Sequence, residues 1–191
     1  LGDGLWRPLP SSVSNATVSL LRPLMQCVDL NCGGNFTATL NIRANTTRRN
    51  IPVPQVSIVN CALHNLPNDT FADLPEIRVL EISRNFLTIL RVGLFDTNTQ
   101  LLSILADGNQ FTSIRAYSFR HNTRLQYLQF DNNHITVIES GAFTHLSALA
   151  ELGLKNNGLP SVPTAVQGVS SLEVIELSNN LISKNRSTDF R

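Results

Sequence analysis

Three cysteines and four histidines are the side chains of this chain best suited to nucleophilic, redox or metal chemistry. Cys27 and Cys32 lie close together in Cys-Val-Asp-Leu-Asn-Cys, directly before the turn residues Gly33 and Gly34. Their spacing and context favour a local disulfide between them. Zinc is the alternative, but a zinc site needs a second pair of ligands. The odd cysteine count leaves at least one unpaired, and this is Cys61 if the local pair forms.

The histidines do not belong to a recognisable catalytic motif. They are His64, His121, His134 and His145. No His-x-x-x-His pair and no Gly-x-Ser-x-Gly sequence occurs, and Gly33-Gly34 lacks the lysine of a phosphate loop. A catalytic site needs a nucleophile, a base and an orienting group that converge. We therefore predict that the chain is not an enzyme and that it binds no metal and no cofactor.

Composition points to one folded domain. The 191 residues are 42% hydrophobic and 15% charged, with a formal net charge of +1. This balance argues against disorder, and it lacks the basic excess that nucleic acids or anionic membranes attract. No apolar run is long enough to span a membrane. The chain begins at Leu1, so we expect a mature chain or a fragment.

The elements that position every side chain are set by an internal repeat, whose first position falls on Val53, Ile77, Leu101, Leu125, Leu149 and Leu172. Apolar residues recur at template positions 1, 4, 6, 11 and 14. Position 4 is Val56, Leu80, Ile104, Leu128, Leu152 and Ile175. Position 9 is Asn85, Asn109, Asn133, Asn157 and Asn180, with Cys61 in the first coil. Position 19 is Phe71, Phe95, Phe119 and Phe143, and the pattern ends at Gln167, where the repeat is one residue short.

Each position has a physical role in a stacked coil. The apolar residues at positions 4 and 6 are two apart, so both point to one face of a strand. The asparagine at position 9 can donate to and accept from backbone groups of adjacent coils. The phenylalanines stack on the convex side and widen the coil there. We interpret Cys61 as a free, buried structural thiol at the asparagine position.

The Leu-x-x-Leu-x-Leu-x-x-Asn-x-Leu series resembles the leucine-rich-repeat family over residues 53 to about 183. The repeat length and the phenylalanine resemble Toll-like receptors, lamprey variable lymphocyte receptors and matrix proteoglycans. This resemblance implies an α/β-type solenoid. It is a curved array with a parallel sheet on its concave face and an irregular or short-helical convex side. One coil cannot bury its own apolar face, so stability comes from stacking.

Residues 1–52 do not fit the full template, and we assign them to an N-terminal cap with an irregular first coil. The apolar segment Ala16–Met25 predicts a helix, ended or kinked near Pro23. Leu40, Ile42 and Asn45 reproduce positions 4, 6 and 9 of a first coil. Residues 53–191 form the repeat domain. Its last coil carries polar Asn185 at position 14, so we expect a truncated repeat, with the alternative that the polar residues that follow act as a minimal cap.

Five Asn-x-Ser/Thr sequons predict N-glycosylation, against the alternative that they are ordinary polar loop residues. They begin at Asn15, Asn35, Asn45, Asn68 and Asn185. None falls on a predicted strand of the regular coils or on the asparagine series. Together with the predicted disulfide, they favour a secreted chain or a cell-surface ectodomain.

The concave face is the predicted binding surface. Template positions 3, 5, 7 and 8 should face outward there. Val79, Leu105 and Tyr127 form an apolar strip in acidic surroundings, as in many recognition hot spots. The predicted ligand-binding residues are Val79, Glu81, Arg84, Leu105, Asp107, Tyr127, Gln129, Asp131, Glu151 and Lys155.

These features predict a non-catalytic extracellular recognition module, either a receptor ectodomain or a secreted relative. Its expected partner is a protein or peptide, with no nucleic acid and no direct membrane contact in this segment. Two alternatives stay open at this point: a structural or adhesive matrix protein, and an inhibitor of a secreted enzyme.

Overall fold

A computed structural model describes residues 55–183 in full, and ahead of them the backbone of three strands. These three are β1 (Thr17–Leu20), β2 (Cys27–Asn31) and β3 (Asn41–Ala44). The later strands are β4 (Gln55–Val59), β5 (Val79–Glu81), β6 (Ser103–Leu105), β7 (Ser113–Ile114), β8 (Tyr127–Gln129), β9 (Val137–Ile138), β10 (Glu151–Gly153) and β11 (Val174–Glu176). Within residues 55–183 the helical structure is a single 3-10 turn, Thr164–Val166. No helix in the described part of the chain is long and apolar enough to cross a membrane.

Seven parallel strands form the concave sheet, in the order β11-β10-β8-β6-β5-β4-β2. Gln55 lies opposite Val79, Val79 opposite Ser103, and Ser103 opposite Tyr127, so the step along the chain is the same each time. The last step, from Glu151 to Val174, is one residue shorter. The sheet therefore confirms the predicted repeat, including its shortened last interval. It also confirms the solenoid, since parallel neighbours at constant spacing require each coil to return to the same side.

The core follows the template. Val56, Leu80, Ile104, Leu128 and Leu152, at position 4, are at most 1% exposed. The position-19 phenylalanines stack on the opposite side, with ring centroids 6.1, 6.1 and 6.4 Å apart and planes within 20° of parallel. These spacings exceed the roughly 4.8 Å between neighbouring strands of the sheet. Successive coils are therefore farther apart at the phenylalanines than at the strands, in agreement with the predicted wider convex side.

The position-9 asparagines form the predicted hydrogen-bonded ladder. Asn133 is representative: its Nδ2 donates to the carbonyls of Ala106 (3.1 Å) and Phe130 (3.0 Å), and its Oδ1 accepts from the Phe111 N–H (3.1 Å). Asn85, Asn109, Asn157 and Asn180 make equivalent bonds. Each amide pairs backbone groups of its own and of the preceding coil, which would otherwise be buried without partners.

A second buried amide row lies where sequence analysis made no prediction. Asn98 donates to the carbonyls of Phe71 (3.0 Å) and Leu74 (2.8 Å), and Asn122 donates to those of Phe95 (3.1 Å) and Asn98 (2.9 Å). Both asparagines are at most 1% exposed. Asn98 and Asn122 are one repeat length apart in the sequence, which is a sign of such a row. The row was not predicted because leucines, Leu74 and Leu146, take the same template position in the neighbouring coils.

Two predictions for residues 1–52 were wrong. Residues 17–20 are a strand, not part of a helix, and β1 pairs in parallel with β3. Thr-Val-Ser-Leu alternates polar and apolar residues, a strand pattern that the apolar content of the segment obscured. The strand that precedes β4 in the concave sheet is β2, not one containing Leu40 and Ile42. Val28 and Leu30 of β2 pair with Val56 and Ile58, so they supply the apolar pair of this coil.

A further sheet outside the prediction joins β7 and β9 in parallel, with Ser113 opposite Val137. It runs along the side of the solenoid that the chain follows after leaving the concave sheet. The backbone groups of this side are thus paired between coils as well, which holds the two coils at a fixed spacing.

Candidate binding surface on the concave sheet

Strand alternation sets which side chains reach the concave surface. Position 4 is buried in every coil from β4 to β10, so positions 3 and 5 on either side of it point outward. The register aligns them into two rows across the sheet. The position-3 row is Gln55, Val79, Ser103, Tyr127, Glu151 and Val174. The position-5 row is Ser57, Glu81, Leu105, Gln129, Gly153 and Glu176.

The apolar strip lies on three consecutive strands. Val79 and Leu105 are half-buried, and Tyr127 is 41% exposed. Neighbouring strands of a sheet are about 4.8 Å apart, so the strip spans roughly 10 Å. An exposed tyrosine ring at one end of the strip, next to two aliphatic side chains, offers a contact of the size that one apolar side chain of a partner would cover.

Two aspartates follow the strands at position 7 and accept hydrogen bonds from the next coil. Asp107 Oδ1 accepts from the Asp131 N–H (3.2 Å), and Asp131 Oδ1 accepts from the Lys155 N–H (2.9 Å). Burial raises the pKa of Asp107, and the charges of Asp131 and Glu81 raise it further. Burial also raises the pKa of Asp131, with a contribution from Glu176. The two carboxylates therefore keep their charges at a cost to the folded chain.

Two glutamates of the face, Glu81 and Glu176, accept hydrogen bonds from serines. Glu81 Oε2 accepts from the Ser57 hydroxyl (3.0 Å). Glu176 Oε1 accepts from the Ser178 N–H (2.9 Å), and hydrogen bonding to Ser178 lowers the pKa of Glu176. In residues 55–183 the one ion pair joins Arg120 to Asp96, neither of which is on this face. The concave carboxylates of the described coils are therefore not neutralised by an ion pair.

Position 8 has a left-handed backbone in every described coil. The φ values are 56° at Asn60, 57° at Arg84, 64° at Gly108, 54° at Asn132, 52° at Asn156 and 56° at Asn179. Asparagine and glycine tolerate this conformation, and other residues adopt it at a cost. Asn156 donates to the Asn132 side chain and Asn179 to that of Asn156, both at 2.7 Å. The edge of the face is thus a row of asparagine amides, interrupted by Arg84 in one coil and by Gly108 in the next.

Among the position-8 residues of the described coils, Arg84 is the one that is neither asparagine nor glycine. It is exposed, and its Cγ lies 3.6 Å from where a Cβ on Gly108 would be, so the stem of Arg84 crosses over the glycine. Its guanidinium makes no hydrogen bond or ion pair to any residue of the described part of the chain. The repeat pattern predicts Arg84 on this surface, and the structure adds that its backbone is strained.

Gly153 provides a recess that sequence analysis did not identify. A Cβ there would come within 1.8 Å of Gln129 Oε1 and 2.8 Å of Asp131 Oδ1. The Gln129 amide therefore lies over the Gly153 backbone, next to the Asp131 carboxylate. Only glycine leaves this space, and the position of Gln129 on the face depends on it.

The remaining predicted residues have the expected exposure. Glu151 is half-buried and Lys155 is exposed. The four histidines are all exposed, and no group of three or more potential metal ligands occurs in the part of the chain that the structure describes. Asn68 is exposed, as a sequon requires, and its Nδ2 lies 3.4 Å from the Val92 carbonyl oxygen. The sequons at Asn15, Asn35, Asn45 and Asn185 lie outside the described residues.

One cysteine interpretation was wrong. Cys61 is disulfide-bonded, so it is not the free thiol that the asparagine position suggested. The side chains of Cys27 and Cys32 lie outside the described residues. The chain has no other cysteines, and a bond from Cys61 to either of them is incompatible with the predicted Cys27–Cys32 pair. The error arose because spacing along the sequence was used where spacing across the sheet decides.

Comparisons with known proteins bear on the fold. A family model described as "Leucine rich repeat" matches residues 54–111 and 99–159, together more than half of the chain. No curated protein sequence matches the chain.

Solved structures share the solenoid. Toll of Drosophila, in its complex with Spatzle, is 20% identical over 89% of this chain and 28% of its own, with a TM-score of 0.69. The TLR13 chain of a TLR13–ssRNA13 complex is 17% identical over 92% and 26%, with a TM-score of 0.69. An internalin of Listeria monocytogenes is 20% identical over 82% and 45%, with a TM-score of 0.57. The chain thus spans about a quarter of the length of the two receptor chains.

Proposed function

The chain belongs to the leucine-rich-repeat family, and we propose that its concave sheet recognises a protein or peptide that presents basic side chains around one apolar side chain. The observation that carries this proposal is the pair of half-buried carboxylates, Asp107 and Asp131. Both are charged against an unfavourable environment, and neither is in an ion pair within residues 55–183. Charges held at a cost to stability are typical of functional surfaces.

The chemistry of the face selects the class of partner. The carboxylates would pair with lysine or arginine side chains, while the apolar strip would take an aliphatic or aromatic side chain. Arg84, at the edge, would pair with a carboxylate of the same partner. The Toll chain in the comparison is in complex with Spatzle and the TLR13 chain with ssRNA. Here the acidic face favours a protein, since it would repel a phosphate backbone.

An extracellular location is part of the proposal. The disulfide at Cys61 supports it, because such bonds persist in oxidising compartments. The exposed Asn68 sequon also supports it. The proposed role is that of a receptor ectodomain or a secreted relative, with binding and no catalysis.

A library of short random-sequence peptides displayed on phage tests the proposal directly. We expect selected peptides to carry Lys or Arg together with Leu, Phe or Tyr. They should lose at least about tenfold in affinity for the Asp107→Asn/Asp131→Asn variant, since each charged contact is worth about 1 kcal/mol or more. The matched control is Asp73→Asn/Glu76→Gln, which removes two exposed charges from the convex side. Equal binding to all three proteins would exclude the concave carboxylates as the recognition site.

A second candidate, adhesive self-association, is favoured by one observation. Phe86, Ile89 and Val137 are 44%, 48% and 53% exposed along the side that carries β7 and β9. Exposed apolar side chains on one side of a solenoid can mediate contacts between copies. Sedimentation at rising concentration separates the candidates: self-association that is lost in Phe86→Asp would favour adhesion, and a monomer at all concentrations would exclude it.

A further inference from the structure

We infer that the disulfide partner of Cys61 is Cys32, so that the first rung of the inner ladder is a covalent bond between two coils. The bond would join the coil that contains β2 to the coil that contains β4. This pairing does not depend on the proposed function.

The site of Cys61 faces the preceding coil. Cys61 takes position 9 and is 1% exposed. The residue at that position in the next coil, Asn85, donates to the Ile58 carbonyl (2.7 Å) and accepts from the Cys61 N–H (3.0 Å). A position-9 side chain therefore reaches back to positions 6 and 9 of the coil before it. For Cys61 that coil is the one that begins with β2.

The register of β2 on β4 places one cysteine within reach and the other out of reach. Asn31 pairs with Val59 at position 7, so the next residue in the sequence, Cys32, falls at position 8. Position 8 lies between positions 6 and 9, the two that a position-9 side chain reaches in the preceding coil. Cys27 pairs with Gln55, at the far end of β4. Gln55 to Val59 alone spans about 13 Å at roughly 3.3 Å per residue. Bonded cysteines have Cα atoms within about 7 Å, which excludes Cys27.

The bond would do covalently what the amides do by hydrogen bonding. Oxidation of the two thiols forms the S–S bond and releases two protons and two electrons. A disulfide of a thiol–disulfide oxidoreductase accepts these electrons and is reduced to two thiols. The closed loop contains residues 33–60. Closing it restricts the unfolded chain and ties the N-terminal strands to the first regular coil.

Peptide mapping without reduction tests the pairing. Free thiols are first alkylated in denaturant, and the protein is then cleaved before Asp and after Arg, except where proline follows the Arg. Cleavage before Asp29 separates Cys27 from Cys32, and cleavage at Arg43 and Arg49 separates Cys32 from Cys61. We expect peptide 29–43 linked to peptide 50–68, with Cys27 alkylated in peptide 3–28. A link between 3–28 and 50–68, a link between 3–28 and 29–43, or alkylation of all three cysteines would overturn the pairing.

Matched variants give an independent readout. Cys32→Ser should lower the melting temperature by about 5–15 °C, and Cys61→Ser should do the same, because each breaks the same bond. The double variant should be no less stable than the less stable single variant, since the two residues act as a unit. Cys27→Ser is the control and should melt within about 2 °C of the wild type. If Cys27→Ser is the destabilising variant and Cys32→Ser is not, the pairing is wrong; where a variant does not fold, the wild-type peptide map decides.

Discussion

Replacing Arg84 by asparagine should stabilise the fold and weaken recognition at the same time. Arg84 has φ 57°, and the coils at Asn132 and Asn156 show asparagine in the same conformation at 54° and 52°. A left-handed backbone costs a residue other than glycine or asparagine about 1–2 kcal/mol. Asparagine recovers part of this cost because its short side chain bonds locally.

The expected gain is about 0.5–1 kcal/mol, because the Arg84 side chain contributes no hydrogen bond or ion pair to the described part of the chain that the change would remove. For a domain of this size that corresponds to a rise in melting temperature of roughly 1–4 °C. Calorimetry or urea unfolding, with the m-value checked for constancy, measures it. Arg84→Lys is the matched control, since it keeps the charge and the strained backbone and should leave stability unchanged within about 0.5 kcal/mol.

The two readouts separate a binding role from a structural one. If Arg84 pairs with a carboxylate of the partner, Arg84→Asn should weaken binding of the selected peptides while it raises stability. A variant that is less stable than the wild type would refute the strain argument. A more stable variant with undiminished binding would remove Arg84 from the recognition surface and leave the strain argument intact.

Three further predictions concern the carboxylates, the ladder and the sequon. Burial raises the pKa of Asp107 above its ordinary 3.8, so the folded wild type loses stability as the pH rises from 3.8 through the raised value. At pH 7, Asp107→Asn should therefore be more stable than the wild type, by less than about 1 kcal/mol because the group is partly solvated. Below about pH 4 the two proteins should have the same free energy of unfolding. Asn133→Ala leaves the buried Phe111 N–H without a partner and removes one of the two side-chain hydrogen bonds to each of the Ala106 and Phe130 carbonyls. It should cost at least about 2 kcal/mol in urea unfolding, whereas exposed His134→Ala should cost under about 0.5 kcal/mol. If Asn68 is glycosylated in a secretory host, Asn68→Gln should lose one glycan mass without a change in unfolding beyond about 0.5 kcal/mol, and a wild-type peptide that carries no glycan would contradict the sequon prediction.

The regular coils could be predicted closely because their repeat is local and redundant. The same pattern of apolar, asparagine and phenylalanine positions recurs in successive coils. A single irregular residue such as Cys61 or Gln167 therefore does not obscure the repeat length. Apolar position 4, the asparagine ladder and the phenylalanine column each follow from one coil stacking on the next. The outward rows followed as well, since alternation along a strand is a property of the backbone.

The N-terminal coil could not be predicted in the same way, because two segments of the sequence fit the strand that pairs with β4 equally well. The segments around Val28 and around Ile42 both carry apolar residues two apart, and only the pairing of β2 with β4 distinguishes them. The strained φ of Arg84 and the recess at Gly153 also had no local signal. They depend on which residue of the next coil lies alongside.

The sequence by itself determined the fold family, the repeat length and the set of side chains that face outward, since these depend on spacing along one chain. Only the tertiary structure decided which strand lies beside β4, which carboxylates raise the pKa of Asp107, and that the stem of Arg84 crosses over Gly108. The physical reason is that stacking places residues one repeat apart side by side, as Val79 and Ser103 are. Contact chemistry between coils is therefore set by the register across the sheet and not by distance along the chain.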